Sequence, residues 1–215
     1  MIHHIVMTVL EIVGTISFSV SGALVAIGGG LDLFGVLFVG CITAVGGGII
    51  RDLCLGSMPP TIFSHPGILM IALLSALAVF IIAYFNAKRF PTFRHRLEQI
   101  NNGFDALGLA AFAVTGTEIA CAAGFEEWAV FAIVMGMITG VGGGMLRDIL
   151  VGQTPYVLKK HVYALAAILG SLIYYLIRLY TPLAVMGSFV AILFIILIRL
   201  LATVRRWELP KIHLP

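Results

Sequence analysis

Seven stretches of the chain, near residues 5–27, 33–57, 66–86, 103–123, 127–152, 162–181 and 183–204, run almost without charge. In a bilayer every backbone N–H and C=O must be satisfied within the protein, so only helices and closed barrels span it. A helix of about 20 residues crosses the roughly 30 Å hydrocarbon core, whereas a spanning strand needs only about 9–11 residues. The lengths of the stretches therefore select an all-α membrane protein with seven transmembrane helices. Composition excludes the soluble alternative. Of 215 residues, 11% are charged and 60% hydrophobic, against about 25% and 45–50% in soluble domains. No Lys or Arg lies between Met1 and Met7, so the positive region of a signal peptide is missing and the first stretch reads as a retained span.

Basic residues collect on one side of these spans. Lys88, Arg89, Arg94 and Arg96 follow the third, Lys159 and Lys160 the fifth, and Arg199, Arg205, Arg206 and Lys211 close the chain, while the opposite side has only Arg178; Arg51 and Arg147 lie within spans and are left out of the count. Because cytoplasmic loops carry the excess of Lys and Arg, this places the C-terminus in the cytoplasm and the N-terminus outside the cell (inner) membrane. The net charge of +3 is thus a matter of topology. No basic run or aromatic platform accompanies it, and nucleic acid is excluded as a partner.

The chain also repeats itself. AVGGGIIRDLCLGSMPP at 44–60 returns as GVGGGMLRDILVGQTPY at 140–156, an offset of 96. Upstream, Glu11-Ile-Val-Gly answers Asp105-Ala-Leu-Gly and Phe18-Ser-Val-Ser-Gly answers Phe112-Ala-Val-Thr-Gly, at an offset of 94. Each copy holds three spans, so the second enters the membrane from the opposite side and the two are inverted repeats. The division is residues 1–86, a cytoplasmic linker 87–102, the inverted copy 103–181, and a seventh helix with its tail, 182–215.

Gly46, Gly47 and Gly48 fall near the middle of the second span, and Gly142, Gly143 and Gly144 near the middle of the fifth. Glycine disfavours a helix interior by about 1 kcal/mol relative to alanine, so a kink or an unwound segment is expected at each triplet. Broken helices at matching places in inverted repeats point to a transport path. The alternative use of such glycines is close helix packing.

Arg51-Asp52 and Arg147-Asp148 follow the triplets by one turn, where an unpaired charge costs at least about 2.5–3.5 kcal/mol. They pair across the repeats and hold the fold together, or the carboxylates attract cations while the arginines fix the helices; the two roles are compatible, because an arginine can neutralise a carboxylate and still orient it. Ser17, Ser19, Ser21, Thr43, Thr115, Thr117 and Thr139 are candidate lining hydroxyls, although each can also bond back to its own helix. Glu11 and Asp105 begin the first and fourth spans, either favouring a helix N-terminus or guarding a pore mouth. Glu118 is a further intramembrane charge. Cys41, Cys54 and Cys121 read as small buried apolar residues. His65 and His161 sit beside turns as hydrogen-bonded interface residues. No Walker A loop, dinucleotide fingerprint or HExxH is present, so neither an enzyme nor a bound cofactor or resident metal is expected.

The paired GGG-x-x-R-D motifs and the seventh span resemble the trimeric intracellular cation channel family in its prokaryotic branch, over residues 5–204. The resemblance implies a homotrimer in the lipid bilayer. Each protomer then has its own pore for monovalent cations, K⁺ and Na⁺ but chiefly K⁺, between two inverted three-helix bundles, with spans two and five kinked at Gly46–Gly48 and Gly142–Gly144. Such bacterial sequences also resemble proteins described as transporters of glycine or small amino acids. No lysine lies within a span, so the lipid gating of animal members does not carry over.

Overall fold

Turn residues punctuate the seven apolar runs, and they do so twice over. In a computed structural model, residues 1–86, 94–159, 162–205 and 207 are described, without the side chains of residues 94–97 and 159. The helices are α1 (Ile2–Gly28), α2 (Leu33–Cys54), α3 (Thr61–Ser64), α4 (Pro66–Phe85), α5 (Arg94–Ala120), α6 (Ala129–Leu150), α7 (Tyr156–Lys159), α8 (Val162–Tyr180) and α9 (Ala184–Val204), with a π-helical turn at Cys121–Phe125 after α5. Among the described residues, seven helices are long and apolar enough to cross a membrane, and they coincide with the seven apolar runs. α5 starts within the stretch read as linker, while residues 87–93, with Lys88 and Arg89, lie outside the described residues.

Gly30 and Gly124 end the first helix of each copy with φ +76° and +95°, and Gly56 and Gly152 end the second with φ +71° and +73°. Each pair is separated by its repeat offset. These are places where a residue with a Cβ would be strained.

α1, α2, α6 and α5 pack in a ring, each against the next. α4 lies against α1 and α2, and α8 lies correspondingly against α5 and α6. α9 has no counterpart and packs on α5 and α8. Small residues face inward, such as Ala72, Ala76 and Ala83 of α4, while Phe34, Leu74, Ile82 and Leu193 point outward. Soluble proteins bury their large apolar side chains as well; in lipid these face outward, and close packing of small residues holds helices together.

α2 and α6 run as unbroken helices through their glycine triplets, which corrects the expected unwinding. Space, not conformational freedom, is what the middle glycines supply. A Cβ on Gly47 would overlap the Thr139 carbonyl oxygen, and one on Gly143 would overlap that of Thr43. The bare backbone of each helix rests on the backbone of the other, a contact in which Cα–H groups can donate weakly to carbonyls. The two helices cross here on the axis relating the copies. Beside the crossing, Phe18 and Phe112 meet edge to face with ring centroids 5.3 Å apart.

Candidate functional site

The charged pairs sit in the last turn of α2 and α6, where the chain leaves the helix. Arg51 donates through Nε (2.9 Å) and Nη2 (2.6 Å) to Asp52 Oδ1, and the Thr61 amide at the start of α3 donates to Asp52 Oδ2 (2.8 Å). The second copy repeats this: Arg147 Nε donates to Asp148 Oδ1 (2.8 Å), and the Tyr156 amide that starts α7 donates to Asp148 Oδ2 (2.6 Å). Each arginine therefore pairs with its own neighbour. Each aspartate ties the loop back to its helix with both oxygens engaged. Asp52→Asn and Asp148→Asn are each expected to cost about 1.5–3 kcal/mol through a weakened charge-assisted bond, read as a lower Tm in detergent. An unchanged Tm would mean that the loops are held by other contacts.

Beyond these pairs the two copies differ. Arg147 Nη1 donates to Asp105 Oδ1 (2.8 Å) and Ser21 Oγ (2.6 Å), and Ser21 donates in turn to Asn101 Oδ1 (2.8 Å). Arg199 Nη2 of α9 donates to Asp105 Oδ2 (3.2 Å), with its guanidinium carbon 4.3 Å from the centre of the Tyr163 ring and 5.3 Å from that of Tyr156. Arg199 is buried within α9, which corrects its place among the basic residues of the tail.

Around Arg51 there is instead an open cavity of about 840 Å³, bounded by the first half of α1, the last turns of α2, α3, the start of α4 and the second half of α5. Glu11, Arg51, Asp52, Thr115, Glu118 and Thr139 line it, together with the Phe112 ring. Glu11 is half-buried there, without a partner among the described residues. Glu118 accepts from Tyr174 (2.7 Å) and Arg178 Nε (2.6 Å) and meets His3 Nε2 at 3.0 Å. Arg178 also reaches Glu126 (3.0 Å); its charge is neutralised where it stands by Glu118 and Glu126, which explains a basic residue on the side whose connections otherwise lack Lys and Arg.

All seven singled-out hydroxyls are buried, but of them only Thr115 and Thr139 line the cavity. Thr43, Thr117 and Thr139 bond back to Val39, Ala113 and Met135 of their own helices. Ser19 donates across to the Ala72 carbonyl (2.6 Å), and Ser17 lies in the interior of α1. Cys41 and Cys121 are buried as expected, whereas Cys54, the last residue of α2, is exposed. His65 is exposed and borders the cavity; His161 lies outside the described residues. Reasoning on polar groups passed over Phe18 and Phe112, although the repeated phrase contains both.

Residues 8–84 and 102–179 match the family model described as glycine transporter. The chain is 37% identical over 202 residues to the UPF0126 membrane protein YvgT of Bacillus subtilis (strain 168), covering 94% of each. It is 38% identical over 165 residues to the UPF0126 inner membrane protein YadS of Escherichia coli (strain K12), covering 77% and 75%. The solved structure of the TRIC trimeric intracellular cation channel orthologue from Rhodobacter sphaeroides superposes with a TM-score of 0.84 at 34% identity, covering 94% of this chain and 99% of that one. The chain belongs to the TRIC family. As a TRIC protein it is a multi-pass membrane protein, and its relatives are membrane proteins rather than enzymes. The seven-helix TRIC fold is also what sets the cavity and the Asp105 cluster at opposite ends of the central ring.

Proposed function

We propose that the chain is a monovalent cation channel, chiefly for K⁺, working as a homotrimer with one pore per protomer between residues 1–86 and the inverted copy 103–181. The observation that carries this reading is the cavity that leads from the end where α1 begins to the Phe18–Phe112 pair beside the α2–α6 crossing. Likeness to a TRIC cation channel over nearly the whole chain supports it. With both oxygens of Asp52, Asp148 and Glu118 engaged, the carboxylate left to attract cations is Glu11 inside the cavity. The pair of rings is an apolar constriction that bars ions by excluding water, and helices bent at the triplets would widen it. The positive-inside count places α1's start and the cavity outside, and the segment 87–102 and the tail in the cytoplasm.

Single-channel recording in planar bilayers under KCl gradients tests this. Discrete cation-selective steps are expected. Phe112→Ala should raise K⁺ flux about tenfold by lowering the dewetting barrier by roughly 1.4 kcal/mol; flux equal to that of the unaltered protein would take the constriction off the path.

A second reading, transport of glycine or a small amino acid, is favoured by Arg51 and Glu11 lining one cavity, since together they offer partners for both ends of a zwitterion. A silent bilayer combined with saturable glycine uptake in proteoliposomes would put this reading first.

A further inference from the structure

We propose that α9 carries a tethered cation: the Arg199 guanidinium fills a monovalent-cation site built by Asp105 and the faces of Tyr163 and Tyr156, and so closes the end of the path opposite the cavity. The inference rests on the channel reading and begins from the internal symmetry. By the repeat offsets, Glu11, Thr115, Arg51 and Gly67 correspond to Asp105, Ser21, Arg147 and Tyr163. The first four line the open cavity. The second four are packed with the Arg199 guanidinium among them, and Arg199 belongs to the one spanning helix that the duplication does not supply.

The chemistry is that of a cation site. A carboxylate oxygen lies 3.2 Å from Nη2, and two ring centres lie 4.3 and 5.3 Å from the guanidinium carbon, the arrangement in which aromatic faces attract a desolvated cation. Arg199 is also the more weakly held of the two arginines here. Arg147 bonds Asp105, Asp148 and Ser21, whereas Arg199 has its bond to Asp105, and its Nε is buried without a partner among the described residues. Buried polar groups are ordinarily satisfied, so the contact is not built for tightest closure. When Arg199 withdraws, Asp105 keeps Arg147, and the carboxylate is left able to receive a passing cation without being orphaned.

The test is K⁺ flux from proteoliposomes bearing Phe112→Ala, with and without Arg199→Gln. The double variant should conduct about tenfold faster, the effect of losing one charge-assisted bond on the closed state. Millimolar guanidinium, but not equal NaCl, should return it to the rate of the single variant. Equal flux from the two variants, or no effect of guanidinium, overturns the tethered cation and leaves the channel reading standing. No flux from either variant or from the unaltered protein overturns both. Should the double variant not fold, Tyr163→Leu in the same background removes the ring and keeps both charges; raised flux then supports the site, and unchanged flux overturns it.

Discussion

Alanine at Gly47 or Gly143 is expected to destabilise the protein more than any other glycine-to-alanine change within the two triplets. At both positions the new methyl would overlap a carbonyl oxygen of the facing helix, on Thr139 or Thr43. A side chain in the way can rotate; a helical backbone cannot, so α2 and α6 must move apart along their whole crossing. Overpacking costs about 1–3 kcal/mol where side chains can adjust, and about 3 kcal/mol or more is expected here, well beyond the roughly 1 kcal/mol that alanine gains in helix propensity. Gly48→Ala is the internal control, because its methyl would find only the Arg51 guanidinium, at 3.7 Å. Gly46→Ala lies between, since it meets the Leu146 side chain at 2.6 Å, which can turn aside. Thermal unfolding in detergent should give the order Gly48, Gly46, then Gly47 with Gly143. Equal and small losses at all four would mean that the helices do not cross at the triplets.

The same glycines show what the sequence could convey. Its hydropathy located all seven spanning helices, and its self-similarity located the pairing of α1 with α5 and α2 with α6, because both are carried by runs of many residues. Whether a glycine serves conformation or space is not written in its own neighbourhood. Gly30, Gly56, Gly124 and Gly152 adopt positive φ, while Gly47 and Gly143 are helical and yield their volume to partners far away in the chain, Thr139 and Thr43. Three glycines in a row looked like a breaker because helix propensity is a local quantity, and the facing backbone that stabilises the helix there is not local. Arg199 was misplaced for a related reason: near the end of an apolar run a basic residue reads as a topology signal, and only the packing of α9 on α5 and α8 carries it inward. The pairing of Arg51 with Asp52 and of Arg147 with Asp148 was equally out of reach, since neighbours in a helix do not normally face each other. It arises because each aspartate turns back at the helix end to meet the amide of Thr61 or Tyr156.

The two arginines that the repeat makes equivalent should behave unequally when neutralised. Arg147→Gln removes the partner that joins Asp105 to Asp148 inside a closed cluster, where all three side chains are almost wholly buried. Breaking a buried pair by deleting one partner costs about 3–5 kcal/mol, because the remaining charge is left uncompensated. Arg199 meets only part of that loss, reaching one oxygen of Asp105 at the longer distance of 3.2 Å. Arg51→Gln strands one carboxylate, Asp52, which is as deeply buried as Asp148 but keeps the Thr61 amide, whereas Arg147 holds two, so the cost of Arg51→Gln should be the smaller, about 3 kcal/mol. Thermal unfolding should therefore rank Arg147→Gln below Arg51→Gln. Adding Asp105→Asn to Arg147→Gln should recover part of the loss, since it removes the stranded charge. Conduction should follow the opposite order. Arg51→Gln withdraws a positive charge from the cavity a cation would enter and should raise cation flux, whereas Arg147→Gln acts first on whether the protein folds. Equal stability losses for the two arginines would mean that the second carboxylate held by Arg147, Asp105, adds nothing, and the asymmetry on which the direction of closure depends would be lost.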